Sequence, residues 1–466
     1  MLTGAWEIAW ALATVLVVYV LAASSRRTVA IGVVLLMIPF QTVDTRYGTS
    51  SVLVAYALAA VLLLNGGLMF RMLPSLGLIA LAYLVSLSQA DRGLFFLHTI
   101  YIFQFFSCLV IFLLAYNYSL LVESERSIVD LLFLMNVLVI VYCLLQLSAG
   151  PGHSFVPFGI DALTFNKNRH EGDARLIGPF DNPGSTAGYF TLMILFCVVD
   201  LMAARGGRRR LVQGLAVLNL VGMVATGNRT GILVLTAMFP VLLFAFRKQL
   251  GVAKVSQYLI SGLAVFAIAS VVAISFTDFQ ILFQRMEEVT ETQNGVPLTR
   301  AQTWPAAIER IHQQPWIGHG PFFVDPGTAE LLGMLPSQTM PFPHSLYLYL
   351  LCTVGVFGLA AILWFFLQAW RILYATLRKS QMPEYQGSLV RLGLVLIPAF
   401  LIAQVTLEFN RPQTMDYAQF IFALVGLLIG LADRSRLPIA DPCVIVVVPE
   451  VSDVRIDASP RRNNER

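Results

Sequence analysis

Apolar runs long enough to cross a bilayer recur along this chain, separated by short polar turns. A helix rises about 1.5 Å per residue, so roughly twenty apolar residues span the hydrocarbon core of a membrane. Of the 466 residues, 57% are hydrophobic and 12% are charged. That charged share is about half that of a soluble domain, too little to cover a water-facing surface. The pattern predicts an all-α polytopic membrane protein with about 12–13 transmembrane helices. The expected spans are 5–23, 28–40, 50–69, 74–89, 94–115, 128–148, 184–203, 211–226, 231–246, 255–276, 345–370, 390–409 and 417–432. The first run, "AWEIAWALATVLVVYVLAA", has neither a basic leader nor a clear cleavage site, and reads as a retained helix.

Charge sets the expected orientation. Arg26, Arg27, Arg71, Arg126, the "ARGGRRR" cluster ending at Arg210, Arg247, Lys248, Arg378, Lys379, Arg434 and Arg436 all fall on one side of the threading. By the excess of Lys and Arg in inner loops, that side is cytoplasmic. The organisation expected is a helical part over 1–276 with an outer loop near 150–183, a large outer loop over 277–343, C-terminal helices over 344–432, and a cytoplasmic tail over 433–466 whose composition reads as partly disordered. The large loop carries "TRAQTWPAAIERIHQQPWIGHG", a helical pattern with Trp304, Ile308 and Ile311 on one face, and the short apolar "AELLGML". A folded cap is the better reading than a tether.

Several function classes find no support. Cys108, Cys143, Cys197, Cys352 and Cys443 lie mostly in apolar runs without a CxxC, and read as small core residues. No HExxH, Cys/His cluster or carboxylate cage suggests a metal site, and no Walker A, GxGxxG or GxSxG element appears. Basic residues are too scattered for a nucleic-acid-binding domain. Asp130, Asp200 and Glu408 sit near span ends, where snorkelling or solvation suffices, so the midplane relay of a proton-coupled carrier is not evident.

Cations on the outer side run against the orientation rule, and each needs a reason. Arg46, Arg92 and Arg411 need only solvent or lipid headgroups. Arg175 stands before the Gly-Pro and Asn-Pro turns of "DARLIGPFDNPGSTAGYF". Arg229 occupies the tight turn of "ATGNRTGILVL" between two apolar spans, near membrane depth. Arg300 opens the helical stretch of the large loop, with Arg310, His312 and His319 following, and His344 precedes the span beginning "SLYLYLL". Charge concentrated at the outer rim favours chemistry there over passage through the core.

"RLIGPFDNPGSTAGYF", "TGNRTGILVL", the Arg-x3-Trp stretch running to "PWIGHG", and "PHSLYLYLLCTVGVFGLAAIL" occur in the order seen in the O-antigen ligase and polymerase superfamily, which this chain resembles from about Arg175 to Leu363. It departs from the common pattern at Gly184, where relatives often have Asn, at Asn228, where they often have Ser, and at Ser345, where they often have Asn. The resemblance implies a type C-like glycosyltransferase of the bacterial inner membrane, with its active site facing the periplasm and no cofactor. It implies metal-independent, inverting transfer of a glycan from undecaprenyl pyrophosphate to an acceptor sugar hydroxyl, such as lipid A core. Arginine's planar fork suits phosphate oxygens, and without a metal fixed arginines must meet the leaving group's charge. Arg229 and Arg300 are the candidates, with Arg175, Arg310 and His319 as further pyrophosphate or glycan contacts. His344 has the chemistry of a base for the attacking hydroxyl, and can alternatively orient the acceptor or bind phosphate. The partners implied are the carrier-linked donor, the acceptor glycan and membrane lipids. A polymerase of O-antigen, capsule or exopolysaccharide repeats shares the donor chemistry. Protein glycosylation, and a flippase or transporter, are the more distant alternatives.

Overall fold

The computed structural model describes residues 27–40, 44–45, 48–90, 92–149, 175–180, 182–251, 255–257, 260, 262, 264, 292–293, 296–297, 303–321, 323, 342–379, 382–405 and 415–434. The helices are α1 (Arg27–Met37), α2 (Ser50–Leu64), α3 (Leu73–Leu87), α4 (Phe95–Leu121), α5 (Glu125–Ala149), α6 (Pro183–Ala203), α7 (Gly206–Ala225), α8 (Arg229–Ala245), α9 (Thr303–Gln313), α10 (Leu346–Thr353), α11 (Gly355–Lys379), α12 (Glu384–Ala403) and α13 (Met415–Asp433). Two antiparallel ladders of two residues a strand, Asp44–Thr45 with Gly48–Thr49 and Thr292–Gln293 with Val296–Pro297, lie outside this framework. The fold is an all-α polytopic membrane protein.

Among the described residues 6 helices are long and apolar enough to cross a membrane: α4, α5, α6, α11, α12 and α13. Helices α1, α2, α3 and α8 are shorter and apolar. Helix α7 matches the expected span 211–226 but starts earlier and carries Arg208, Arg209 and Arg210 in its first turns. The expected spans 5–23 and most of 255–276, the "AELLGML" piece, Glu408, Cys443 and most of the tail fall outside the described residues. Cys108, Cys143, Cys197 and Cys352 are buried free thiols, as small core residues should be.

Helix α13 is the axis of the bundle, buried along its whole length. A lipid tail is as apolar as leucine, so helices in a membrane associate through close backbone approach and interhelical hydrogen bonds. Gly426 and Gly430, four residues apart, provide the first: a Cβ at either would overlap the backbone carbonyl of Phe112 or Tyr116 on α4. Ser119 Oγ donates to the Leu427 carbonyl (2.8 Å) and Gln419 Nε2 to Ser107 Oγ (2.8 Å), which supplies the second. Phe365 of α11 stacks on Phe422 of α13 at 5.0 Å between ring centres and closes the other side.

Charged residues at one end of the bundle are paired rather than dispersed. Arg71, before α3, meets Asp433, at the end of α13, at 2.9 Å, and both side chains are almost wholly buried. Tyr116 Oη donates to the same carboxylate at 3.4 Å. Arg71 is therefore a structural ion-pair member, where its position alone suggested a loop charge. Asp200 also departs from expectation: its side chain is 2% exposed and bonds Arg208 at 2.9 Å, instead of reaching solvent. Tyr385, at the start of α12, donates to the same carboxylate. Asp130 completes the group at 2.7 Å from Arg208 and is exposed, as expected.

The expected single span 345–370 is broken. Helix α10 ends at Thr353, α11 begins at Gly355, and Gly355 has φ 66°. The head of this span is thus an eight-residue helix. Replacing Asp433 with alanine would strand the buried Arg71 charge, a loss of about 3–5 kcal/mol. The midpoint of thermal unfolding of the detergent-purified protein should fall accordingly, and an unchanged midpoint would refute the pairing.

Candidate functional site

Three sequence motifs open three helices at the end of the bundle opposite the Arg71–Asp433 pair. Asn182 caps α6: its Oδ1 accepts from the Gly184 and Ser185 N–H groups at 2.8 and 3.1 Å, and Pro183 fills the first helical position, where no N–H is needed. Asn228 caps α8 in the same way, accepting from Gly231 N–H at 3.1 Å. Ser345 is the cap residue of α10, in extended backbone and without a side-chain cap bond. A helix N-terminus carries a partial positive charge and outward-pointing N–H groups, so each start favours an anion nearby.

The Arg175 turn and the Arg229 turn come together. Leu176 N–H donates to the Ala225 carbonyl at 3.0 Å, which docks the stretch after Arg175 on the last turn of α7. Gly178 N–H donates to Gln146 Oε1 of α5 at 2.8 Å, and Thr186 Oγ1 donates to the Ile177 carbonyl at 2.5 Å. Arg175 itself is half-buried. Arg229 is the first residue of α8, and the structure describes its backbone. Gly231, two residues on, faces Ala187 and Thr191 of α6, and this seats the start of α8 against α6.

A second group forms where α9 packs along α10. Trp304 Nε1 of α9 donates to the Pro343 carbonyl at 2.9 Å, which fixes the residue next to His344. His319 Nε2 bonds the Arg310 carbonyl at 2.8 Å, and the Arg310 guanidinium lies 5.0 Å from the centre of the Phe323 ring. The α9 face that packs is Trp304, Ala307 and Ile311, with Ala307 fully buried; Ile308 is 45% exposed and does not belong to it. Cys352 Sγ donates to the Ala307 carbonyl at 3.3 Å and joins α9 to α10. His312 faces solvent. Arg300 lies outside the described residues.

His344 is half-buried and has φ 48°, the left-handed region that L-residues other than glycine seldom enter. It stands just ahead of α10, whose first turn is held by Leu346 N–H to the Gln404 carbonyl at 3.0 Å and by Tyr347 Oη to the Leu401 carbonyl at 2.7 Å. Both acceptors belong to the end of α12, which also packs on α6 and α8. Tyr417, at the start of α13, fills the space between: its ring contacts Phe180, lies against Gly188 of α6, and neighbours Phe400 of α12. The two groups of cations therefore share one end of the bundle, joined through α12 and α13.

Pattern reading missed the residues that seat this site: Gln404, Tyr347, Gln146 and the indole N–H of Trp304. Each acts by a hydrogen bond to a main-chain group distant in sequence, for which a single sequence carries no signal. It missed Asp416 as well, a buried carboxylate in the first turn of α13.

The segment after α9 locks the arrangement. His319 N–H donates to the Cys352 carbonyl (2.9 Å), Gly320 N–H to Thr353 (3.2 Å), Val356 N–H to Pro315 (2.8 Å) and Phe357 N–H to Trp316 (3.2 Å). Residues 315–320 are thus inserted into the break between α10 and α11. The approach is so close that a Cβ on Gly318 would overlap the Thr353 carbonyl, and Gly318 has φ 69°.

A helical multi-pass membrane protein with capped helix starts, arginines in the turns at one end and a half-buried histidine ahead of a short helix is the class these features define. Residues 214–363, about a third of the chain, match the family model described as O-antigen ligase. The matched stretch contains Arg229, Arg300, Arg310, His319 and His344, and begins after Arg175. The family implies a glycosyltransferase-type enzyme working on a lipid-linked glycan and an acceptor. No curated protein matches the chain.

The Gly318→Ala variant should lose about 1–2 kcal/mol from left-handed backbone alone, and more from the overlap. Earlier thermal unfolding, with faster proteolysis between α9 and α10, is the expected result. Wild-type behaviour in both assays would show that the insertion is not tight.

Proposed function

We propose that the protein is a glycosyltransferase of the inner membrane that works at its periplasmic face and is O-antigen ligase-like. It would take a glycan from an undecaprenyl pyrophosphate carrier to a sugar hydroxyl of lipid A core. The observation that carries this reading is the backbone of His344. A half-buried histidine held at φ 48° ahead of a helix start costs about 1–2 kcal/mol, and such strain persists where surrounding structure imposes it, most often at working sites.

In the proposed reaction the acceptor hydroxyl oxygen attacks the anomeric carbon of the donor sugar from the face opposite the pyrophosphate. A new C–O bond forms, the anomeric C–O bond to pyrophosphate breaks, and the carrier leaves with that electron pair. The hydroxyl proton passes to a ring nitrogen of His344 and then to solvent. The product is inverted at the anomeric carbon. Arg229 and Arg300 would meet the charge growing on the pyrophosphate, and the start of α8 adds the partial charge of its N–H groups. Arg175, next to the docked Leu176, would assist. Arg310 and His319 take a different role in this reading: the bond from the His319 ring to the Arg310 carbonyl braces the segment after α9 against that helix.

The departures from the family pattern fit this chemistry. Asn228 and Ser345 stand at cap positions, where Asn and Ser are both among the preferred residues, so either residue type can open the helix.

Alanine at His344 should lower transfer by about a hundredfold or more, the usual contribution of a general base. Alanine at Arg229 or Arg300 should cost a further-reaching loss of about 100- to 1,000-fold each, the scale of one lost charge-stabilising donor. Surface-glycan gels of a deletion strain complemented with each variant, at matched protein abundance, are the readout. Near-normal transfer by any of the three removes that residue from the mechanism. In the deletion strain, bare core with carrier-linked polymer accumulating is expected of a ligase, whereas core bearing one repeat would identify an O-antigen polymerase.

A further inference from the structure

The arginine cluster between α6 and α7 is only partly consumed by the fold. Arg208 is held by Asp200 and Asp130. Arg205, Arg209 and Arg210 are exposed. Arg205 and Arg209 line a cavity of about 1300 Å³ between α6, α7, α8 and α12, larger than a drug-sized pocket of roughly 300–1,000 Å³. Its walls are apolar, with Val198, Leu220, Leu235 and Phe239 among them. The charged residues, Arg205, Arg209 and Glu384, gather at one end, the end of the bundle that carries the ion pairs. A second cavity of about 400 Å³ adjoins it there and shares Arg205 and Tyr385.

Two measures point to the occupant. Along α7 the lining runs from Arg209 to Leu220, a rise of about 16 Å, close to half of the roughly 30 Å hydrocarbon thickness. The depth is therefore that of one leaflet. Across the two cavities, Arg126, Arg205, Arg208 and Arg209 stand against Asp200 and Glu384, with Asp130 also on Arg208, so the mouth stays net positive. An apolar slot one leaflet deep with a cationic mouth is complementary to acyl chains beneath a phosphate headgroup.

We propose that this groove is a binding site for an anionic phospholipid of the leaflet on the arginine-rich face, with its phosphate at Arg205 and Arg209 and its chains along α7 and α8. The site is distinct from the cation groups at the opposite end and does not depend on the glycosyl-transfer reading. Helix α8 connects the two ends, since it walls the groove and carries Arg229 at its start.

Native mass spectrometry of the detergent-purified full chain, incubated with phosphatidylglycerol or phosphatidylcholine of equal chain length, tests the proposal. Phosphatidylglycerol should be retained in preference. The Arg205→Gln/Arg209→Gln double variant should weaken its retention roughly thirtyfold, from about fivefold per arginine at a membrane surface. Val217→Trp, at a groove position that is 41% exposed and tolerant of bulk, should also expel it. Arg210→Gln, off the groove, should change little. Equal retention of phosphatidylcholine would overturn anionic recognition. Unchanged retention by Val217→Trp, or displacement by glycerol phosphate alone, would reduce the site to surface headgroup contact. A loss with Arg210→Gln as large as that of the double variant would mean general charge, and would overturn the site.

Discussion

A broken helix in a membrane must find partners for its freed backbone groups inside the protein, because hydrocarbon offers none. The break between α10 and α11 meets this requirement through residues 315–320, which exchange four main-chain hydrogen bonds with the helix ends on either side. Ser86 of α3 adds a fifth, from its Oγ to the Thr353 carbonyl at 2.6 Å. The segment that satisfies the break is continuous with α9, and α9 holds Pro343, next to His344, through Trp304. One structural demand therefore ties the outer cap, the short helix α10 and the candidate base into a single unit.

The two ends of the bundle treat charge in opposite ways. At the arginine-rich end Arg71 and Arg208 are matched with Asp433, Asp200 and Asp130, and the pairs tie together α3 with α13 and α5 with α6 and α7. At the other end, side-chain caps occupy N–H groups at the starts of α6 and α8, and Arg229 is the first residue of α8. Paired charges hold helices in place; cations gathered around helix starts make a field suited to an anion. The proposed donor, a lipid with a pyrophosphate at its head, needs such a field at membrane depth.

Much of the fold was legible because hydropathy and a turn chemistry rich in Gly, Pro and Asn determine it. The helices α1 to α6, α8 and α13 begin within about three residues of the expected spans, and α7 and α12 begin about five or six residues earlier. The helical reading of 303–313 holds too. What escaped depends on contacts between distant parts of the chain. Arg71 resembles any inner-loop arginine until Asp433 is placed beside it. The "GLLIG" stretch of α13 is a small-residue pattern whose partner, α4, cannot be named from sequence. The break at Val354 and Gly355 was hidden because both residues are tolerated in membrane helices, and the segment that fills it arrives from the preceding loop. Of the candidate site, the expected threading singled out Arg175, Arg229, Arg310, His319 and His344 as candidates. Their grouping was not legible, because hydrogen bonds from Leu176, Trp304 and Leu346 create it.

The most direct test is transfer by the purified chain, reconstituted in vesicles with an undecaprenyl pyrophosphate-linked glycan as the only donor and a metal chelator present. The account predicts that the glycan moves to an added acceptor with inversion at its anomeric carbon, that free undecaprenyl pyrophosphate appears in equal amount, and that the His344→Ala protein does neither. Transfer that stops with the chelator, or that proceeds undiminished without the histidine, would contradict it.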